Sequence, residues 1–275
     1  MDGTDFFKFR SENMIQSKFI KDEIKRANKL EYFIPLGLKK LDNSVLNKGL
    51  TPHNKYLIFG SNKTGKTQFC HQLCIQAFDI FSRGSYQSKQ KNSILTVYFD
   101  LENTFRPERI QQLALKKKLD YKSVFKSINI SKIMSNSAFL LKLKEIKGQD
   151  YLKDIKLLII DSINIYYRIE QSDREIPFYN AKKSFLEILT IIDEITRNYN
   201  LVTIVTAQIT PNFIQNAIIE ELPVGNQFLN HFFSEYFYLS IKNNNYYIHL
   251  VNSQYLPEKK VLYQITSNGI EDYKI

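Results

Sequence analysis

Four apolar runs of strand length recur along the chain with helix-length segments between them, and this alternation limits the fold more than any other feature. The runs lie at residues 55–60 (KYLIFG), 93–100 (SILTVYFD), 156–162 (KLLIIDS) and 201–208 (LVTIVTAQ). They are apolar at nearly every position rather than at alternate ones, so both faces of each strand need cover. Helical patterns at 65–81, 107–118, 136–147 and 180–199 can supply it. Strands that alternate with helices pair in parallel, so the expected class is α/β, a twisted and mostly parallel sheet flanked by helices. After residue 208 the pattern changes. EYFYLSIKNNNYYIHLV reads as two strands about an Asn-rich turn and KKVLYQITSNGIEDY as a third, which predicts an antiparallel extension at the C-terminal side. Two stretches, 168–179 and 209–225, have no clear period. Both follow strands on the side where α/β proteins bind ligands.

A chain of 275 residues with 43% apolar content fills one large domain. Residues 1–33 are charged, with Phe19, Ile20, Ile24 and Ala27 at helical spacings; they read as an arm or linker that could contact a protomer or partner, ahead of a domain at 34–275. The formal net charge of +10 permits a polyanionic partner without locating it. Cys70 and Cys74 fall on one helical face beside His71 in FCHQLC, but no further ligands stand at zinc spacing, so they are expected as buried free thiols in a reducing compartment. No apolar run is as long as a membrane span, and MDGTDFFKFRSENM lacks the basic-then-apolar build of a secretory signal. A soluble intracellular protein with no membrane partner is expected.

GSNKTGKT at 60–67 fits G-x-x-x-x-G-K-[ST] and stands after an apolar strand and before a helix, where the motif works. Backbone N–H groups from Gly60, Ser61, Asn62, Lys63, Thr64 and Gly65 into the helix start at Lys66, Thr67 and Gln68 can cradle phosphate oxygens. Lys66 can reach the β and γ phosphates and Thr67 can ligate magnesium. Asp161 ends KLLIID, the place of an acid that supports magnesium through water, or of a plain strand-end cap. Gln208 ends VTIVTAQ and could sense a γ-phosphate. Glu102, in FDLENTFRPER, reads two ways: a solvated loop carboxylate, or a base that activates water if its strand lies beside the phosphate-loop strand. Asn103 or Thr104 is expected to cap the next helix, with Pro107 in its first turn.

Taken together, GKTQFCHQL, DLENTFRPERI, KLLIIDS, VTAQI, PVGNQFLNH and LVNSQYLPEKKVLYQITSNGIED resemble the RecA superfamily, and within it the archaeal RadA and eukaryotic strand-exchange recombinases with their paralogues. The resemblance runs from about Ile34 to the C-terminus. It implies a RecA-like ATPase core that binds ATP and Mg2+ between protomers of a filament on single-stranded DNA. On that basis Lys66 and Thr67 bind phosphate and magnesium, Glu102 activates water, Asp161 supports magnesium, and Gln208 couples nucleotide state to the loop after it. His231 matches a histidine that reaches ATP across the protomer interface, and Arg109 lies with Arg106 in the FRPER element. The stretches 168–179 and 209–225 fall at the two DNA-binding loops, with Arg168 and Arg174 as the candidate DNA contacts. The implied compartment is the cytoplasm or nucleoid of an archaeon or the nucleus of a eukaryote.

Several positions depart from the family pattern. The 1–33 arm is too short for the family's N-terminal helix-hairpin-helix domain. In its Phe-x-x-Ala polymerisation peptide the alanine is replaced, with Asp22 following Phe19. The second loop has no Lys or Arg and carries Glu220 and Glu221, which opposes phosphate binding. Asn252 replaces an aspartate, and a glycine pair is reduced to Gly225-Asn226. Three readings follow. One is a recombinase paralogue or mediator that works through self-association or a recombinase partner. The others are a self-sufficient strand-exchange recombinase and a RecA-like ATPase outside recombination.

Overall fold

The computed structural model describes residues 32–83, 94–214, 217 and 219–273; the amphipathic pattern at 19–27, with Phe19 and Asp22, lies outside them. The four apolar runs form β1 (Lys55–Gly60), β2 (Thr96–Asp100), β4 (Leu157–Asp161) and β5 (Val202–Ala207), buried at every position. They join one nine-stranded sheet whose order, with strands numbered along the chain, is β11-β10-β9-β8-β1-β5-β4-β2-β3. The pairs from β8 through β1, β5, β4 and β2 to β3 are parallel. From β8 (Glu235–Lys242) through β9 (Asn245–Asn252), β10 (Lys259–Thr266) and β11 (Gly269–Asp272) the pairing is antiparallel. This is the RecA-like α/β class expected, a mostly parallel sheet with an antiparallel C-terminal extension.

Side chains alternate across the sheet, so Tyr56 and Ile58 enter one core while Leu57 and Phe59 enter the other. The first core is covered by α2 (Lys66–Arg83), α3 (Pro107–Lys116) and α4 (Tyr121–Lys126). α1 (Lys39–Ser44) also packs on this side. The second is covered by α5 (Asn136–Ile146), α6 (Ile165–Ser172) and α7 (Phe178–Asn198). α7 carries Phe185, Ile188, Leu189 and Ile192 on one face, the spacing its pattern predicts. Cys70 and Cys74 are free and buried, as expected.

The structure corrects the sequence reading in several places. Strand β2 does not neighbour β1, because β5 and β4 lie between them. The segment read as one final strand is the hairpin β10–β11, in which Thr266 pairs with Gly269 around Ser267-Asn268. Helix α4 and edge strand β3 (Ile128–Lys132) were not expected; β3 is only partly buried, so it lacks the apolar signature of the central strands. The stretch 168–179 is largely the end of α6 and the start of α7. The stretch 209–225 is closed by a short hairpin of β6 (Ile209–Pro211) and β7 (Glu221–Pro223). The residue at the N-cap of α3 is Arg106, with no side-chain capping bond, in place of the expected Asn103 or Thr104; the turn ahead of it is held by Asp100. Its carboxylate accepts from Thr104 N and Phe105 N, both at 3.0 Å.

Gln72 of α2 ties the beginning and end of the fold together. Its Nε2 donates to the carbonyls of Leu36 and Ile270, both at 3.0 Å, and its Oε1 accepts from Ile270 N at 2.6 Å. Gln72→Leu would leave those buried backbone groups without a side-chain partner. A loss of about 2–4 kcal/mol is expected, read as a melting temperature roughly 5–10 °C lower in a thermal scan.

Candidate active site

The phosphate-loop candidate leaves the end of β1 and enters α2. Gly60 has φ 152°, and a Cβ there would lie 2.1 Å from the Leu239 carbonyl oxygen of β8; the strand can turn beside β8 because this residue has no side chain. The Thr64 hydroxyl donates to Ser61 O at 2.8 Å. From below, the Tyr263 hydroxyl of β10 donates to Thr64 O, and Ile265 packs at Gly65. Asn62 and Lys63 are exposed at the tip. Lys66 curls back, its Nζ donating to Gly60 O at 2.8 Å and Ser61 O at 3.1 Å. Burial lowers the pKa of this ammonium, and the carboxylates of Glu102, Asp161 and Glu221 oppose that shift.

Asp161, at the end of β4, is 1% exposed. Its Oδ2 accepts from Thr67 Oγ1 at 2.7 Å and from the Tyr98 hydroxyl at 2.9 Å, and its Oδ1 accepts from Thr206 Oγ1. Burial raises the carboxyl pKa, and the hydrogen bonds from Thr206, Thr67 and Tyr98 pull it back down. Its backbone carbonyl accepts from Leu101 N at 2.7 Å and Glu102 N at 3.3 Å. Asp100 grips the N–H groups on the far side of the same turn, in which Asn103 takes φ 57°, a conformation Asn tolerates. The two aspartates thus clamp DLENTF between them, so Glu102 reaches the site although its strand is separated from β1 by β4 and β5.

Glu102 Oε1 accepts from Ser162 Oγ and from Gln208 Nε2, the latter at 3.1 Å. The Oε1 of Gln208 in turn accepts from Arg168 Nη1 at 3.4 Å. Lys66, Thr67, Asp161, Glu102 and Gln208 therefore converge at the carboxyl ends of the parallel strands, and Arg168 touches the same network. Arg109 does not join it. Its guanidinium bonds Gln68 Oε1 at 2.7 Å and the Thr266 carbonyl at 2.7 Å, holding α3 to α2 and β10. Arg174 is exposed between α6 and α7, and His231 is exposed after α8 (Asn226–Leu229). Glu220 bonds Lys242 at 3.1 Å, whereas Glu221 accepts from Ser61 Oγ and from the Tyr238 hydroxyl.

Asn164 is a residue the sequence reading missed. Fully buried, it donates from Nδ2 to Gln208 O at 2.9 Å and Val224 O at 3.0 Å, and its Oδ1 accepts from Gln208 N at 2.8 Å. It pins both ends of the 209–223 stretch. No motif marks it. Thr206 and Tyr98 could have been found by parity, since Thr206 shares a strand face with Gln208 and Tyr98 stands two residues before Asp100.

The Rad51 family model matches residues 27–273. The chain belongs to the Rad51 family, within the RecA superfamily. It is similar to the DNA repair and recombination protein RadA of Methanococcus maripaludis strain C5, with 28% identity over 259 residues that cover 91% of this chain and 79% of that protein. Among the described residues no helix is long and apolar enough to cross a membrane.

One buried group in this Rad51-family core gives a pH signature. His71 packs against Tyr98 and Phe105, and its Nε2 accepts from Arg106 N at 3.2 Å while Nδ1 has no partner among the described residues. Burial, and then the charge of Arg109, lower its pKa from 6.5 to about 4. The unfolded chain therefore takes up a proton below pH 6.5 that the folded chain refuses until about pH 4, so this contribution is complete above 6.5 and falls with pH through that window. Chemical denaturation should show about 1–2 kcal/mol less stability from this source at about pH 5 than at about pH 7. In His71→Gln the difference between the two pH values should shrink by that amount.

Proposed function

We propose that this chain binds and hydrolyses ATP with Mg2+ and acts on single-stranded DNA in homologous recombination and repair, as a paralogue or mediator that works with itself or another recombinase. The observation that carries this reading is the shared network of Thr67, Asp161, Glu102 and Gln208 beside the phosphate loop. The donor set suits a hard cation, since the Thr67 hydroxyl and the Asp161 carboxylate are oxygen donors that meet at 2.7 Å. Thr67 would ligate Mg2+, Asp161 would support it through water, and Lys66 and the loop N–H groups from Gly60 onward would hold the phosphates. Bound magnesium would neutralise charge on the transferred phosphoryl group.

Glu102 is proposed as the base. Oε1 is held by Ser162 and Gln208, while Oε2 accepts no hydrogen bond among the described residues, which leaves it to orient a water and take its proton. Gln208 is proposed as the link from nucleotide to the 209–223 stretch. Arg168 is proposed, with Arg174, as a DNA contact; its bond to Gln208 is a route by which DNA could act on hydrolysis. Arg109 and His231 are proposed to serve a nucleotide at the protomer interface. The domain is taken as 34–275 with an arm at 1–33, and the compartment as archaeal cytoplasm or nucleoid, or a eukaryotic nucleus. The paralogue role is favoured over self-sufficient strand exchange because the second loop has no Lys or Arg to hold phosphates.

Glu102→Gln should bind ATP like the native chain and turn it over at least about 100-fold more slowly, whereas Lys66→Ala should lose nucleotide binding. Steady-state phosphate release with and without single-stranded DNA checks both, and unchanged turnover in Glu102→Gln removes it from the role. Electron microscopy on single-stranded DNA with ATP separates the recombination readings. Regular self-filaments with strand exchange would establish the self-sufficient recombinase instead.

A further inference from the structure

A carboxylate from outside the motif stands at the mouth of the phosphate loop. The hydroxyl of Ser61, second residue of the motif, donates to Glu221 Oε1, and the Tyr238 hydroxyl of β8 donates to Oε2 at 3.1 Å. Glu221 opens β7 and lies opposite Pro211 across the β6–β7 hairpin. That hairpin is closed at its base, where Val224 N donates to Gln208 O at 2.9 Å and Asn164 holds both carbonyls. The same carboxylate acts electrostatically on Lys66. Glu221 therefore joins three things: the second residue of the phosphate loop, the field at its lysine, and the strand that ends the 209–223 stretch.

A carboxylate is an unexpected group for this place. The hydrogen bonds from Ser61 and Tyr238 need an acceptor, and a neutral amide oxygen would provide one. What the carboxylate adds is a full negative charge beside a loop built to receive polyphosphate, and like charges a few ångströms apart oppose each other strongly where water is partly excluded. It also occupies the Ser61 hydroxyl and part of the field of Lys66, both of which a phosphate would use.

We propose that Glu221 sets the affinity and the charge discrimination of the phosphate loop: it competes with nucleotide phosphates for Ser61 and Lys66 and disfavours a triphosphate more than a diphosphate. By linkage, nucleotide binding weakens the hold of Ser61 on the β6–β7 hairpin, and any partner that draws Glu221 away from the loop raises nucleotide affinity by the same factor. This inference rests on the ATP-binding reading above. It assigns to an acid of the second loop a role in the nucleotide site rather than in repelling DNA.

The test is calorimetric titration of ADP and a non-hydrolysable ATP analogue, with magnesium, into the native chain, Glu221→Gln, Glu221→Lys and Tyr238→Phe. Glu221→Gln should tighten the ATP analogue by about threefold to tenfold and ADP by less, with the gain shrinking at high salt. Glu221→Lys should tighten further, and gives the same answer should the amide variant fold poorly. Tyr238→Phe keeps the charge while removing one hydrogen bond, so it should not tighten binding. Hydrogen exchange supplies a second readout: the amides of Asn212, which donates to Glu220 O at 2.8 Å across the hairpin, and of Val224 should lose protection when the native chain binds the analogue, and change less in Glu221→Gln. Equal affinities in the native chain and both Glu221 variants would overturn the inference, as would equal tightening in Tyr238→Phe, which would trace the effect to a looser hairpin. A native chain that bound neither nucleotide, matching Lys66→Ala, would overturn the ATP-binding reading itself.

Discussion

The site depends on one buried carboxylate. Asp161 is almost wholly removed from water, and an ionised group there survives only if its oxygens are bonded on several sides. The bonds come from Thr67 at the start of α2, Tyr98 on β2 and Thr206 on β5. One charge thus draws together the phosphate loop and the neighbours of β4 on both sides. The backbone of the same residue holds Leu101 and Glu102, so the requirement to satisfy a buried acid also fixes the position of a second acid that is the candidate for chemistry.

From that centre the connections run outward through side chains of limited freedom. Glu102 is tied to Gln208, Gln208 to Arg168, and the backbone of Gln208 to Asn164, which also holds Val224. Both stretches that lack a sequence period are thus tied by hydrogen bonds to residues beside the phosphate loop. Polar networks of this kind act as units, because leaving any member unpaired in a low-dielectric setting is costly.

The central strands are legible in the sequence because they are buried on both faces and therefore apolar throughout. The phosphate loop is legible because glycine and lysine at that spacing, set between an apolar strand and a helix, suit phosphate and little else. Helix α7 shows itself by its 3.6-residue period. What escapes is of two kinds. Edge strand β3 and helix α4 are short and half-exposed, so nothing forces a pattern on them. Asn164, Thr206 and Tyr98 act through bonds to residues 44, 45 and 63 positions away, and such partners are set by strand order. Sequence reasoning makes adjacency of β2 to β1 the condition for Glu102 to reach the site, and the strand order does not meet it. The turn clamped by Asp100 and Asp161 achieves the reach without it.

The floor of the phosphate loop is made by Tyr263 and Ile265, and the helix that follows the loop is stitched through Gln72 to Ile270. The loop opens at Gly60, and the two hydrogen-bonded supports stand 198 and 199 positions beyond the residues they hold. During synthesis the motif therefore leaves the ribosome long before the residues that shape it, and local propensity cannot complete it early. Completion of the loop's supports therefore waits until the β10–β11 hairpin has docked, and a ligand that stabilised the loop would reward only molecules in which that has happened.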